Sequence, residues 1–310
     1  MSHVEIRKPG WLTTIQDAGR WGMQAQGVGV SGPMDWCSHG LANLLVGNSE
    51  DAATLEVTMS GPELIVADDV TFVVTGAEFP LTLNGAAVAM DKAVHARSGD
   101  MLTFGMRRHG ARSYVAVTGG FQVPLVLGSR STHVLSGLGG LGGRALRPGD
   151  HLEISSVGPT IDRELRSRPF RLPDGGAALR VLPGPHEHRF AHETVKKLQS
   201  FRYVLSPRSD RMGYRLEGPA LPWPPGTTEL ISGATVPGAV QIPSSGQPIL
   251  LMVDRATTGG YPIIAVVISA DLPLAGQLAP GDWIEFAPCT RGEAVAALRD
   301  RERALLTAVD

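Results

Sequence analysis

Glycine and proline punctuate this sequence so often, with 38 Gly and 23 Pro among 310 residues, that long helices have little room. What remains is a series of short apolar or alternating runs bounded by turn residues, the pattern of an all-β chain. Residues 70–74 and 79–83 precede Asn84-Gly85, a pair suited to a type I′ turn, with 87–90 as the returning strand. Gly-Asp followed by alternating large apolar residues occurs three times, at 99–104, 149–154 and 281–286. Each predicts a turn leading into a strand.

Further echoes pair 54–56 and 61–64 with 216–221, and 118–121 with 258–261, in the same order along the chain. They predict two diverged copies of one barrel-like domain. At about 150 residues each, both could hold a core. Residues 169–176, Pro-Phe-Arg-Leu-Pro-Asp-Gly-Gly, follow a charged run at 162–168 and form the expected linker. The boundary is therefore placed at 168/169, giving domains 1–168 and 169–310. Helices are expected from Gly32-Pro33-Met34-Asp35 to Gly47-Asn48, over 186–198, and from a capping box at Thr290–Glu293 through Leu306.

A formal net charge of -2 gives no global attraction to nucleic acid or an anionic membrane. Cys37 and Cys289 lie far apart and supply neither a disulfide framework nor a zinc set. With no leader-like segment at the N-terminus and no long apolar run, the expected location is the cytoplasm. Apart from Lys8, Lys92, Lys196 and Lys197 the basic residues are arginines, which suit fixed recognition of carboxylate or phosphate.

Two matches to G-x-G-x-x-G, at 27–32 and 137–142, follow no strand of a βαβ unit and do not predict a dinucleotide site. Gly139, Gly140 and Gly142, followed by Arg144, read either as a mobile surface loop or as backbone N–H groups turned toward an anion. His188 and His192 would share a helix face, but without an acidic ligand at a fixed spacing no metal site is predicted. More informative are three dense polar clusters among turn residues, 13–20, 209–215 and 254–261. Singly, each fits an Asx-turn or a surface ion pair; together they point to a polar pocket.

The blocks at 14–20, 31–35, 42–43 with 47–48, 210–216, 238–243 and 257–262 resemble those of the KipA/PxpC family, also described as a biotin-dependent carboxyltransferase family. The resemblance covers nearly the whole chain. It implies a mainly β fold of two tandem cyclophilin-like β-barrel domains with few short helices. It also implies ATP-dependent hydrolysis of 5-oxo-L-proline to L-glutamate, with KipI/PxpB-like and PxpA-like subunits, ATP with magnesium as co-substrate, and no activity for the chain alone. Met90-Asp91-Lys92 does not match a biotinyl carrier, so no covalent biotin is expected on this chain. Two other activities occur in the family: carboxyl transfer from a biotin carried elsewhere, and regulation by antagonising a kinase inhibitor.

Projected onto the blocks and clusters, the expected catalytic residues are Asp17, Arg20, Asp35, Arg211 and Asp254. Thr14, Gln16, Ser31, Asn43, Tyr214, Arg215, Gln241, Thr257, Thr258 and Tyr261 are the expected substrate-binding residues. Arg211 in particular is expected at a turn and outside the core, with its guanidinium engaged by an anion or by a carboxylate partner.

Overall fold

The computed structural model describes residues 2–155, 162–223 and 230–309. It is mainly β, with four α-helices among the described residues: α1 (Trp36–Leu45), α2 (His192–Ser200), α3 (Leu272–Gly276) and α4 (Arg291–Thr307). None is long and apolar enough to cross a membrane.

The chain divides into two compact units, one of Met1–Trp21, Ser31–Leu172 and Arg303–Asp310, the other of Gly22–Val30 and Pro173–Glu302. The main break therefore falls at Leu172/Pro173, four residues past the expected boundary. Half of the expected linker belongs to the first unit, where Pro169, Phe170 and Leu172 line a pocket with Leu41 and Asp91. Arg168 fixes that stretch by donating from Nε to Asp91 at 2.9 Å and from Nη1 to the Gly76 carbonyl at 2.8 Å. The exchanged segments, 22–30 and 303–310, carry no sequence mark of their changed allegiance.

In the first unit a seven-stranded sheet runs Phe121–Gln122, His151–Ile154, His3–Lys8, Glu63–Val66, Met101–Phe104, Leu81–Leu83, Ala86–Val88. A five-stranded sheet runs Leu12–Gln16, Thr54–Thr58, Arg112–Val117, Val70–Gly76, Val94–Ala96. Alternate side chains of both sheets, among them Val4, Ile6, Leu64 and Leu102 with Ile15, Leu55, Val57 and Val115, share one apolar core. The three central strands of the five-stranded sheet are buried at every position. Helix α1 is the reason, since its Ala42 and Leu45 pack on Val73, Tyr114 and Ala116 of the opposite face. A sheet covered on both sides has no solvent face to hold its polar residues.

The second unit is a closed seven-stranded barrel in the order Gly176–Pro183, Ile263–Val267, Ala239–Gln241, Ile249–Leu251, Gly213–Glu217, Tyr203–Leu205, Trp283–Pro288. Parallel pairing of Gly176–Val181 with Trp283–Pro288 closes it. A two-stranded ribbon, Gly233–Ala234 with Thr258–Gly259, stands outside the barrel ladder.

The turn chemistry is as expected. Asn84 (φ 51°) and Gly85 (φ 83°) join Leu81–Leu83 to Ala86–Val88. In all three Gly-Asp turns the glycine has positive φ (88°, 83° and 94°), and the aspartate accepts from the N–H three residues back, at 2.7, 2.7 and 2.8 Å. Thr290 and Glu293 form the capping box, with Thr290 N–H donating to Glu293 at 2.7 Å and Glu293 N–H to Thr290 Oγ1 at 3.2 Å.

Three details differ from expectation. Asp35 is the cap before α1, not a residue of its first turn. Residues 186–198 split into a 3₁₀ turn, Glu187–Arg189, and α2, so His188 and His192 share no helix face. Gly119 and Gly120 form a left-handed turn, whereas Thr258–Gly259 is ribbon strand, so that echo is one of sequence only.

Candidate functional site

Asp17 and Arg20 both act on the loop that follows Gln122. Four donors fill the Asp17 carboxylate: Ser129 Oγ at 2.6 Å, Ser131 Oγ at 2.6 Å, Gly19 N–H at 3.0 Å and the N–H of Arg130. Burial pushes its pKa up, but the hydrogen bonds together outweigh burial and hold it below the ordinary carboxylate value. Arg20, fully buried, donates from Nε to the Val126 carbonyl at 2.8 Å and from Nη2 to the Ser131 carbonyl at 2.9 Å.

Gln16 extends the same network. It donates to Thr14 Oγ1 at 3.0 Å and to the Thr132 carbonyl at 3.1 Å, and accepts from Gly32 N–H at 3.2 Å. Beside it Ser31 is buried with φ 58°. The expected residues at 14–31 do come together, but as the frame of a loop.

The glycine run completes that frame. Gly140 N–H donates to the Arg130 carbonyl at 2.9 Å and Gly143 N–H to Gly139 at 2.7 Å, while Arg144 pairs with both Asp150 oxygens at 2.7 and 2.8 Å. Gly142 meets open space. Of the residues considered for an anion, the Gly140 N–H and the Arg144 guanidinium thus already have acceptors within the protein. Gly139 is glycine because a Cβ there would lie 2.0 Å from the Ser131 carbonyl and 2.7 Å from Arg20 Nη2, at φ 67°. Gly139→Ala is therefore expected to cost at least about 2 kcal/mol of stability, measured by chemical denaturation.

Under α1 lies a second polar layer. The Asp35 side chain caps the helix, accepting from Ser38 N–H at 3.0 Å and Ser38 Oγ at 2.6 Å. Its N–H donates to Tyr114 Oη at 2.8 Å, and Tyr114 donates to Glu56, also at 2.8 Å. Burial, then the nearby Glu56 and Asp35 charges, push the Tyr114 hydroxyl well above its ordinary pKa. His39, 2.9 Å from Thr54 Oγ1, is lowered to about 4 by burial despite the Asp17 and Glu56 charges, so it is neutral at physiological pH. Asn43 holds the Ala52 carbonyl at 2.8 Å and accepts from Asn48 at 3.1 Å, pinning the chain after the helix.

In the second unit Arg211 is only 6 % exposed, and it grips Asp254 from Nε at 2.8 Å and Nη2 at 3.2 Å. Arg211 lies at a bend, as expected, but it is buried rather than outside the core, and its guanidinium is engaged by a carboxylate of the protein itself in a bidentate pair. Tyr214 is buried and donates to the Ala275 carbonyl at 3.1 Å, whereas Arg215 is exposed on the same strand. Around the ribbon the protein is more open. Thr258 and Tyr261 are exposed, Thr257 is half-buried, and Gln241 is buried beneath Gly259. Among the described residues no three His, Cys, Asp or Glu side chains converge as a metal site would require.

Comparison with known proteins decides the family. A model described as "Carboxyltransferase domain, subdomain A and B" matches residues 26–288. The chain belongs to this carboxyltransferase domain family. Within it, the chain is 39% identical to the C subunit of 5-oxoprolinase from Escherichia coli, over 97% of this chain and 96% of that one. The C subunit of the Haemophilus influenzae 5-oxoprolinase is 36% identical, over 93% and 92%. A second branch is much longer. The crystal structure of the Kluyveromyces lactis urea amidolyase matches with a TM-score of 0.91 and 31% identity, covering 98% of this chain and 20% of that one. This carboxyltransferase domain therefore spans about a fifth of the amidolyase.

Two sets of residues escaped the sequence reading. Glu56 and Tyr114 alternate with apolar Leu55 and Val115, so they read as the solvent face of strands; only the cover of α1 makes that face interior. Arg255 lies inside the polar cluster at 254–261 but was not singled out within it. Its burial, with 7 % exposure, is visible only in three dimensions.

Proposed function

We propose that the chain is the C subunit of a 5-oxoprolinase, acting with KipI/PxpB-like and PxpA-like subunits in the cytoplasm to hydrolyse 5-oxo-L-proline to L-glutamate at the expense of ATP. The observation that carries this reading is end-to-end similarity: both 5-oxoprolinase relatives are covered over more than nine-tenths of their own length. The lactam is a stable amide. Phosphorylation of its oxygen by ATP would make the ring carbon electrophilic enough for water, the bound phosphate then leaving. ATP with magnesium is the co-substrate in this reading, and it is assigned to no residue of this chain. The chain alone, given 5-oxoproline and ATP, is expected to show no turnover.

A second reading is carboxyl transfer from a biotin held on another chain, favoured by the match to the Kluyveromyces lactis urea carboxylase, with a TM-score of 0.92 over 98% of this chain. Avidin separates the two. Turnover of 5-oxoproline by the assembled complex is expected to be unaffected when avidin sequesters biotin; inhibition by avidin supports the carboxyltransferase reading instead.

A further inference from the structure

Arg255 is a buried charge with no countercharge among the described residues. It is 7 % exposed, its Nε is shut off from solvent, and its guanidinium makes no hydrogen bond or ion pair among the described residues. The neighbouring carboxylate does not serve it, because both oxygens of Asp254 are held by Arg211. Burial draws the Arg255 pKa down, yet an arginine keeps its proton in a protein and cannot escape the cost by neutralising.

Gln241 supplies a second such donor. It is 6 % exposed, and its Nε2 has no hydrogen-bond partner. Gly259, four residues beyond Arg255, lies over it so closely that a Cβ would come within 2.7 Å of that Nε2. The segment joining them is strapped down. Thr235 donates from its hydroxyl to the Ala256 carbonyl and from its N–H to the Thr257 carbonyl at 3.0 Å, and Ala234 pairs with Thr258. One fixed segment and the barrel strand beneath it thus carry a cationic and a neutral donor, both lacking an acceptor among the described residues.

Donors of this kind are costly to bury unless an acceptor comes from outside. The planar fork of an arginine matches a carboxylate in shape and charge, and an amide N–H can add a third bond. We propose that Arg255, assisted by Gln241, is the receptor for the carboxylate of a small acid. Taken with the proposed function, that acid is 5-oxo-L-proline or the glutamate made from it. The receptor itself does not depend on that reading.

The test uses the purified full chain and its Arg255→Met, Arg255→Lys and Gln241→Leu variants. Calorimetric titration with 5-oxo-L-proline, L-glutamate and inorganic phosphate is paired with the thermal midpoint of each unliganded protein. Unliganded Arg255→Met is expected to melt no lower than the wild type, since it loses an uncompensated charge, and to bind the carboxylate at least about tenfold more weakly. Lysine should restore part of the affinity, and Gln241→Leu should cost less than Arg255→Met. A lowered midpoint for Arg255→Met, equal carboxylate binding by wild type and Arg255→Met, binding of phosphate alone, or no binding by the wild type would each overturn the proposal. Binding of glutamate but not 5-oxoproline through Arg255 keeps the receptor and removes the proposed substrate.

Discussion

Arg211→Ala is expected to destabilise the second unit by about 3–5 kcal/mol, because it strands the Asp254 carboxylate, only 5 % exposed, without its bidentate partner. For a unit of this size such a loss lowers the thermal midpoint by on the order of 10 °C. Removing both partners, Arg211→Met with Asp254→Leu, is expected to recover most of that loss, since neither member of the pair is left behind as an unpaired buried charge. Urea unfolding of the two single variants and the double variant reads the coupling directly. A cost for Arg211→Ala below about 1 kcal/mol, the size of an exposed ion pair, would contradict the structural role and return Arg211 to a ligand-binding one.

The second large effect belongs to Asp17. Asp17→Ala leaves two hydroxyls and two backbone N–H groups around a vanished acceptor, and a stability loss of about 3–5 kcal/mol is expected. The same carboxylate gives a pH dependence whose sign is fixed by its lowered pKa. The unfolded state takes up a proton first as pH falls, so the stabilisation from Asp17 is complete above the ordinary carboxylate value and disappears as pH drops through the folded value. The acid limb of the stability profile should accordingly be shallower in Asp17→Asn than in the wild type. Parallel acid limbs in the two proteins would show that Asp17 contributes nothing to it.

These two residues also show how far the sequence could be read. Turn chemistry is local, so Asn84-Gly85, the three Gly-Asp turns and the Thr290–Glu293 box were legible from a few adjacent residues. The mainly β architecture followed from the same punctuation. The roles of Asp17 and Arg20 were not legible, because their partners, Val126, Ser129, Arg130 and Ser131, lie more than a hundred residues away. A cluster of acid, amide and guanidinium has the same appearance in sequence whether it binds a ligand or ties down a loop. The difference between Arg211 and Arg255 was not legible either, since both are buried. Two arginines in similar turn-rich clusters differ in that Arg211 is the one paired with Asp254.

If this chain is a required part of a 5-oxoprolinase, the most direct measurement is glutamate formation from 5-oxo-L-proline and ATP by the purified PxpA-like and KipI/PxpB-like subunits, with and without it. Turnover that appears only when all three are present, and is absent for the chain by itself, is the predicted result. Equal glutamate formation by the other two subunits whether or not the chain is added would contradict that role.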